Sequence, residues 1–464
     1  MPQLTFKRNA HISFFKRCLT MLPSAVEGYD GNRITMAYFC LSALDLLEAL
    51  ETSYTAEKRQ EWVRWVWALQ KTEGGFSGST FMTPAHSHES EHTQKNPLMN
   101  PGHLPSTYTS LLVLGILRAP VEEWINKLDV DGLERLLDTC SDSNGSFSPI
   151  PLRLPEPTAS TATTPPYSPP FQSDARMAYC AAVIDDMITH AKYPEFNTPG
   201  TADQGRTTAS PKEIVALDSD VSESAARSSG RRSTKRTRQW LTACQTWEGG
   251  FGQHPGLEAQ GGTTYCAIAS LRLMGSPAPT EKWSSCIDVD AATRYLVSRQ
   301  LGGLSSEGDE ETDGGGGFQG RPGKLEDVCY SFWCGGAMRV LLDKAIFDTD
   351  ANSRALLDAQ SPIGGFGKAK GDRPDPYHAY LAIAALAMDE NEDACDPSEP
   401  AVEGHGHLSG ANENTVETSR RSVPKIGLKA LDPLWNVSME TRSYIEECLQ
   451  AVFQHKYAVS RGTA

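Results

Sequence analysis

Residues 320–333 put two cations, Arg321 and Lys324, just ahead of an Asp-x-Cys pair, Asp327 and Cys329, and an aromatic run ending at Trp333. A carboxylate, a thiol and nearby cations are the makings of a metal ion beside a pocket for an anion. Downstream, Asp375-Pro376-Tyr377-His378 offers the imidazole that this set lacks. One carboxylate, one thiolate and one imidazole would leave a fourth position of a tetrahedral zinc open, the pattern of catalytic rather than structural sites. Singly, the same residues also read as ordinary ones: Asp327 and Asp375 as helix N-caps, Cys329 as a small buried apolar side chain, His378 as a satisfied core residue.

The elements that must bring these residues together repeat along the chain. Gly74-Gly75-Phe76, Gly249-Gly250-Phe251, Gly316-Gly317-Phe318 and Gly364-Gly365-Phe366 are copies of one turn, and Gly145-Ser146-Phe147 is a degenerate fifth. Gln70, Gln245 and Gln360 each stand six residues before the turn phenylalanine. Helix-like stretches such as 57–70 and 289–300 precede the turns. Apolar stretches rich in small residues follow, at 108–117, 174–184, 263–274, 327–340 and 375–388. These are apolar nearly all round, as buried helices are. With 33–49 they make six inner helices, enough to close a ring, since a helix pair that cannot bury its own inner face must stack on its neighbours. The expected fold is all-α: one alpha-alpha (α6/α6) barrel spanning residues 1–464, with polar outer helices and an apolar central funnel. The N-terminal ends of the inner helices would face one mouth, where free N–H groups and helix dipoles attract anions.

Four segments interrupt the repeat, at 83–105, 149–170, 195–236 and 390–423. They are polar and His-rich, Pro/Ser/Thr-rich, poor in apolar residues, and acidic and Gly-rich respectively, so they bury too little to offset their conformational entropy and are expected to be disordered insertions. A formal net charge of -15 over 464 residues, with no basic face, argues against nucleic acid as a partner. The Lys/Arg cluster near 227–238 lies in a Ser/Thr-rich stretch and reads as solvated linker. Eleven cysteines without paired spacing read as reduced thiols of a cytoplasmic protein. No apolar run reaches membrane-spanning length, so no stable membrane insertion is expected.

The run Asp327-Val328-Cys329-Tyr330-Ser331-Phe332-Trp333, the later His378 and the repeated turns resemble the β subunits of the protein prenyltransferases, in detail the geranylgeranyl type I class. The likeness runs from His11-Ile12-Ser13-Phe14-Phe15 to about Met388, outside the interruptions. The resemblance implies one zinc ion held by Asp327, Cys329 and His378, its open position taking the cysteine thiolate of a substrate protein. It implies diphosphate contacts from Arg321, Lys324 and Tyr330. A His-Gly-Gly of the family that also touches diphosphate is matched here by Gln260-Gly261-Gly262, where glutamine keeps a donor without the possible charge. Farnesyltransferases have Arg-Pro-Trp in the first inner helix, its indole shortening the lipid tunnel; the matching residues here are Arg33-Ile34-Thr35, leaving room for one more isoprene unit. Ten residues before the zinc histidine, farnesyl and Rab-type enzymes carry an aspartate that in the farnesyl case helps hold magnesium. Lys368 stands there, so magnesium should not be required. Arg176 matches an arginine used around the peptide carboxylate and isoprenoid, and Tyr179, Cys266 and Trp333 match lipid-tunnel positions. Tyr377 departs from the aliphatic residue frequent in type I enzymes and would tighten the pocket for the last residue of the substrate peptide.

The function so implied is transfer of geranylgeranyl from geranylgeranyl diphosphate to the cysteine of C-terminal Cys-aliphatic-aliphatic-Leu sequences, such as those of Rho-type small GTPases. The catalytic β subunit would act with a helical-repeat α subunit as an obligate heterodimer. The alternatives are a farnesyltransferase or Rab-type β subunit, disfavoured by Thr35 and Lys368; a terpene cyclase, disfavoured because the chain has no Asp-x-Asp-Asp; and a non-catalytic barrel scaffold, for which Gln260 would speak.

Overall fold

Helices built from small apolar residues can pack on every side, and six of them form the inner ring of the barrel. In the computed structural model, residues 4–21, 24–80, 101–152, 173–193, 234–274, 286–302, 315–391 and 425–458 are described. Besides a 3-10 segment at Ser24–Asn32 and a single helical turn at Leu50–Ser53, the helices in chain order are α1 (Arg8–Thr20), α2 (Arg33–Leu46), α3 (Ala56–Trp67), α4 (Leu104–Ile116), α5 (Val121–Lys127), α6 (Val130–Cys140), α7 (Ala175–Lys192), α8 (Thr234–Ala243), α9 (Gly261–Leu273), α10 (Val289–Val297), α11 (Cys329–Leu342), α12 (Thr349–Asp358) and α13 (Pro376–Glu390). A short antiparallel hairpin, β1 (Leu431–Asp432) and β2 (Val437–Ser438), leads into α14 (Met439–Lys456).

The inner helices α2, α4, α7, α9, α11 and α13 pack each on the next, and α13 packs on α2, so the ring closes. They are the stretches expected from the sequence. Outer helices are amphipathic: α6 buries Leu133, Leu136 and Leu137 and exposes Asp131, Arg135 and Asp138. Asp129, Asp288 and Asp348 cap α6, α10 and α12, each accepting a main-chain N–H at 2.8 Å. Such caps are worth about 1 kcal/mol each.

The glutamine before each turn links one repeat to the next. Gln70, Gln245 and Gln300 each donate to one main-chain carbonyl and accept one N–H around the cap of the following outer helix, at Lys127/Asp129, Asp288 and Asp348. Gln360 does the same at Thr5 and Lys7, the start of α1, and so ties the last repeat to the first. Gln300 belongs to this set although it lies far from Phe318 in sequence, with which it pairs. The first glycine of the turns has positive φ at Gly74, Gly249, Gly316 and Gly364. A Cβ there would strike the carbonyl of Gly132, Ala291, Ala351 or Ala10 in the neighbouring helix, so glycine is required on both counts.

The interruptions are narrower than expected at their edges. Residues 101–105, 149–152, 234–236 and 390–391 are part of the fold: α4 begins at Leu104, whose N–H donates to Pro149 O, α8 begins at Thr234, and α13 runs to Glu390, with Asn391 bonding back to Ala387 O. The remainder of the expected insertions lies outside the described residues. The hairpin and α14 were not anticipated. α14 packs against α7, α5 and α4, and the turn between the strands enters the barrel. Among the described residues no helix is long and apolar enough to cross a membrane.

Candidate active site

Each turn phenylalanine positions the residue that opens the following inner helix. The carbonyls of Phe76, Phe251, Phe318 and Phe366 accept the N–H of His103, Gln260, Asp327 and Asp375 respectively. One repeated hydrogen bond therefore delivers a side chain from each of these repeats to the same mouth of the barrel. Asp327 lies two residues ahead of α11 rather than in its first turn, and its Oδ1 accepts the N–H of Cys329 at 3.1 Å. Asp375 caps α13, accepting the N–H of His378 at 3.0 Å. The N-cap reading thus holds for Asp375, whereas Asp327 stands one residue before the cap of α11, Val328, and bonds the N–H of Cys329 from there.

One ligand atom from each of Asp327, Cys329 and His378 lies within 4.8 Å of the others, with His378 Nε2 3.6 Å from Asp327 Oδ1. Bonds of 2.0–2.3 Å around a tetrahedral ion separate ligand atoms by about 3.5 Å, so the three fit a metal ion after a small inward movement. Asp375 Oδ2 stands 2.6 Å from His378 Nδ1, which leaves Nε2 as the metal-facing nitrogen. Burial first, and then the Asp327 carboxylate, push the Cys329 thiol well above its usual range. A divalent cation at this point would reverse that preference and hold the thiolate.

The residues expected around diphosphate gather beside this triad. Gln260 Nε2 donates to Tyr330 Oη at 3.0 Å, and Gly261 N donates to Gly320 O at 2.9 Å, joining the two loops. A Cβ on Gly320 would run into the Tyr330 ring, and one on Gly261 would lie 2.8 Å from Cys334 Sγ. Gly262 follows in the first turn of α9. Val328 N donates to Lys368 O at 3.0 Å, which brings Lys368, exposed, alongside the metal ligands. Lys324 is also exposed, its N–H donating to Gln319 Oε1. Arg321 pairs with Glu258 at 2.5 Å, a partner not anticipated from the sequence.

The residues expected to meet lipid and peptide lie on the inner helices α2, α7, α9, α11 and α13. Trp333 Nε1 donates to Tyr377 Oη at 3.1 Å, and the same hydroxyl is in hydrogen-bonding contact with Cys329, so Tyr377 connects Trp333 to Cys329. Trp333 packs on Tyr265, and Tyr265 on Tyr179, at centroid distances of 5.1 and 5.4 Å. Cys266 is buried next to Tyr265. Arg176 is held by Asp174 through a bidentate pair, with contacts of 2.6 to 3.2 Å. Thr35 lies across the barrel from α9, with Oγ1 donating to Asn32 Oδ1 at 2.7 Å. Phe39, one turn further along α2, packs on Tyr377 and Tyr380. Its spacing of four from Thr35 was the available signal for it. A cavity of about 520 Å³ lined by Cys18, Met21, Met36, Trp62 and Trp65 opens on the opposite face of α2. It contains none of these groups.

Comparison with known proteins agrees with this geometry. The chain is 26% identical over 403 residues to the geranylgeranyl transferase type-1 subunit beta of Arabidopsis thaliana, covering 84% of this chain and 87% of that one. It is 26% identical over 400 residues to the protein farnesyltransferase subunit beta of Schizosaccharomyces pombe, covering 83% and 79%. The solved structure of Candida albicans protein geranylgeranyltransferase-I complexed with GGPP shares the fold, with a TM-score of 0.68 at 22% identity over 96% of this chain and 99% of that one. Residues 6–437, the barrel together with the turn that enters it, match the prenyltransferase alpha-alpha toroid domain, and the chain belongs to that prenyltransferase family.

Proposed function

We propose that this chain is the catalytic β subunit of a protein geranylgeranyltransferase type I, working in the cytoplasm as a heterodimer with an α subunit. The observation that carries the reading is the Asp327, Cys329 and His378 triad set between a cationic rim and an aromatic funnel whose first inner helix carries Thr35. The substrates are geranylgeranyl diphosphate and proteins ending in Cys-aliphatic-aliphatic-Leu, Rho-type small GTPases among them. Zinc held by the triad would lower the pKa of a substrate cysteine at its open position, supplying a thiolate near neutral pH.

The thiolate sulfur attacks the first carbon of the isoprenyl chain, the carbon–oxygen bond breaks, and diphosphate leaves with the electron pair. Arg321, Lys324, Lys368 and the Tyr330 hydroxyl, with Gln260 beside it, answer the charge that grows on the leaving oxygens. Trp333, Tyr179, Cys266 and Thr35 hold the chain, and Arg176 and Tyr377 border the peptide.

Lys368 makes the reading testable against its farnesyl relatives. An ammonium neutralises diphosphate directly, whereas magnesium needs oxygen ligands that a lysine does not provide. Single-turnover transfer by the wild-type heterodimer should therefore be independent of magnesium. Lys368→Asp should be slower by about tenfold or more without magnesium and recover part of the rate when it is added. Lys368→Ala should lose rate with little rescue. A strong magnesium requirement in the wild type would count against type I.

A further inference from the structure

Four inner helices carry tyrosine as their fifth residue, at Tyr108, Tyr179, Tyr265 and Tyr380, and α2 carries Tyr38 as its sixth. At 1.5 Å per residue these lie at one depth, roughly 6–8 Å below the start of each helix. All five hydroxyls donate to main-chain carbonyls of the turn between β1 and β2. Tyr265 reaches Pro433 O, Tyr179 Leu434 O, Tyr108 Trp435 O, and both Tyr38 and Tyr380 reach Asn436 O, at 2.5 to 2.9 Å. Burial holds all five phenols above their usual range, so they remain donors.

The turn is itself fixed from outside the ring. Asp432 Oδ1 accepts the N–H groups of Leu434 and Trp435, its Oδ2 pairs with Arg442, and Trp435 Nε1 donates to Asp186. Asn436 has φ +58, a left-handed conformation that asparagine tolerates better than most residues, and its Oδ1 also accepts from Tyr380 at 2.9 Å. Tyr38 and Tyr380 pack on Phe39, which stands one turn from Thr35 on α2. A chain of contacts therefore runs from Asn436 through two phenols to Phe39, one turn from Thr35.

We propose that the turn Pro433–Asn436, through Asn436, positions the wall at which the isoprenoid chain ends, so that a segment outside the inner helices takes part in chain-length selection. The inference rests on the prenyltransferase reading above. Asn436 acts as a positioning residue: it sets where Tyr38 and Tyr380 sit, and they set Phe39. Apolar packing alone leaves an aromatic ring some freedom to slide, whereas a directed hydrogen bond to a fixed carbonyl removes it.

The test is equilibrium binding of the fifteen-, twenty- and twenty-five-carbon isoprenyl diphosphates to the assembled heterodimer. Wild type should prefer the twenty-carbon chain over both others. Asn436→Ala should lower that preference about fivefold, the size of one lost buried hydrogen bond, with metal content unchanged. Tyr380→Phe removes that bond together with the one to the Asn436 main-chain carbonyl while keeping the ring, and should lower the preference at least as much even if the alanine variant folds poorly. Thr441→Val, which takes a hydroxyl from buried Asp45 at the base of α14, should lower the melting temperature and leave the preference intact. An unchanged preference in the Asn436 and Tyr380 variants, or an equal loss in Thr441→Val, would overturn the role of the turn alone. A wild-type protein that bound none of the three lipids would overturn the prenyltransferase reading as well.

Discussion

Cys329→Ala should strip the metal from the heterodimer and reduce transfer by roughly a thousandfold. The estimate combines two losses. A free thiol near pKa 8.5 is only a few per cent ionised at neutral pH, so losing metal activation costs about thirtyfold in thiolate. Losing the ion that holds the sulfur next to the reacting carbon removes positioning worth at least a comparable factor. His378→Ala should behave the same way. Asp375→Asn keeps all three ligands but weakens the hydrogen bond that orients His378, and should lower metal affinity about 10–100-fold. Binding of isoprenyl diphosphate should survive all three changes, because Arg321, Lys324, Lys368 and the aromatic funnel do not depend on the ion. Metal content by elemental analysis and lipid affinity by calorimetry separate the two functions. Full activity in a metal-free Cys329→Ala protein would remove the metal from the mechanism.

Thr35→Trp should turn lipid preference toward the fifteen-carbon donor by about ten- to a hundredfold. Thr35 is the third residue of α2, and Phe39, one turn on, already packs against Tyr377 and Tyr380. An indole placed between the rim and Phe39 fills the space that the fourth isoprene unit would use. Overlap in a packed site costs about 1–3 kcal/mol, and it falls on the longer chain alone, which is rejection by shape rather than by lost contact. Competition between the two diphosphates for one peptide gives the ratio directly. If the variant still strongly prefers geranylgeranyl diphosphate, Thr35 does not set the length.

The barrel was legible because its repeat is written in residues with stiff requirements. Glycine at positive φ, a buried phenylalanine and small-residue helices recur at Gly74, Gly249, Gly316 and Gly364. The clustering of Asp327, Cys329 and His378 was legible for a related reason: Asp327 and Asp375 occupy equivalent places in successive repeats, so one local pattern positions Asp327 and Cys329 in one repeat and His378 in the next. Gln300 was missed because 18 residues separate it from Phe318, against six in its counterparts. The tyrosine ring was visible only as isolated aromatics. Its partners are main-chain carbonyls, which carry no sequence signature, and they lie between 56 and 398 residues away. Glu258 was missed because its role is to pair with Arg321 across 63 residues, which no local spacing encodes. The edges of the interruptions were misplaced for a simpler reason: polar composition continues into α4 and α8, whose buried positions are set by neighbours in space.

The most direct test of the proposed function is the mass added to a peptide by the purified wild-type heterodimer, offered equal amounts of farnesyl and geranylgeranyl diphosphate. Two peptides suffice, one ending in Cys-aliphatic-aliphatic-Leu and one identical but for a terminal Ser. The Leu peptide should gain a geranylgeranyl group on its cysteine, with the Ser peptide modified far more slowly. A farnesyl group on the Ser peptide as the main product, or no addition to either, would contradict it.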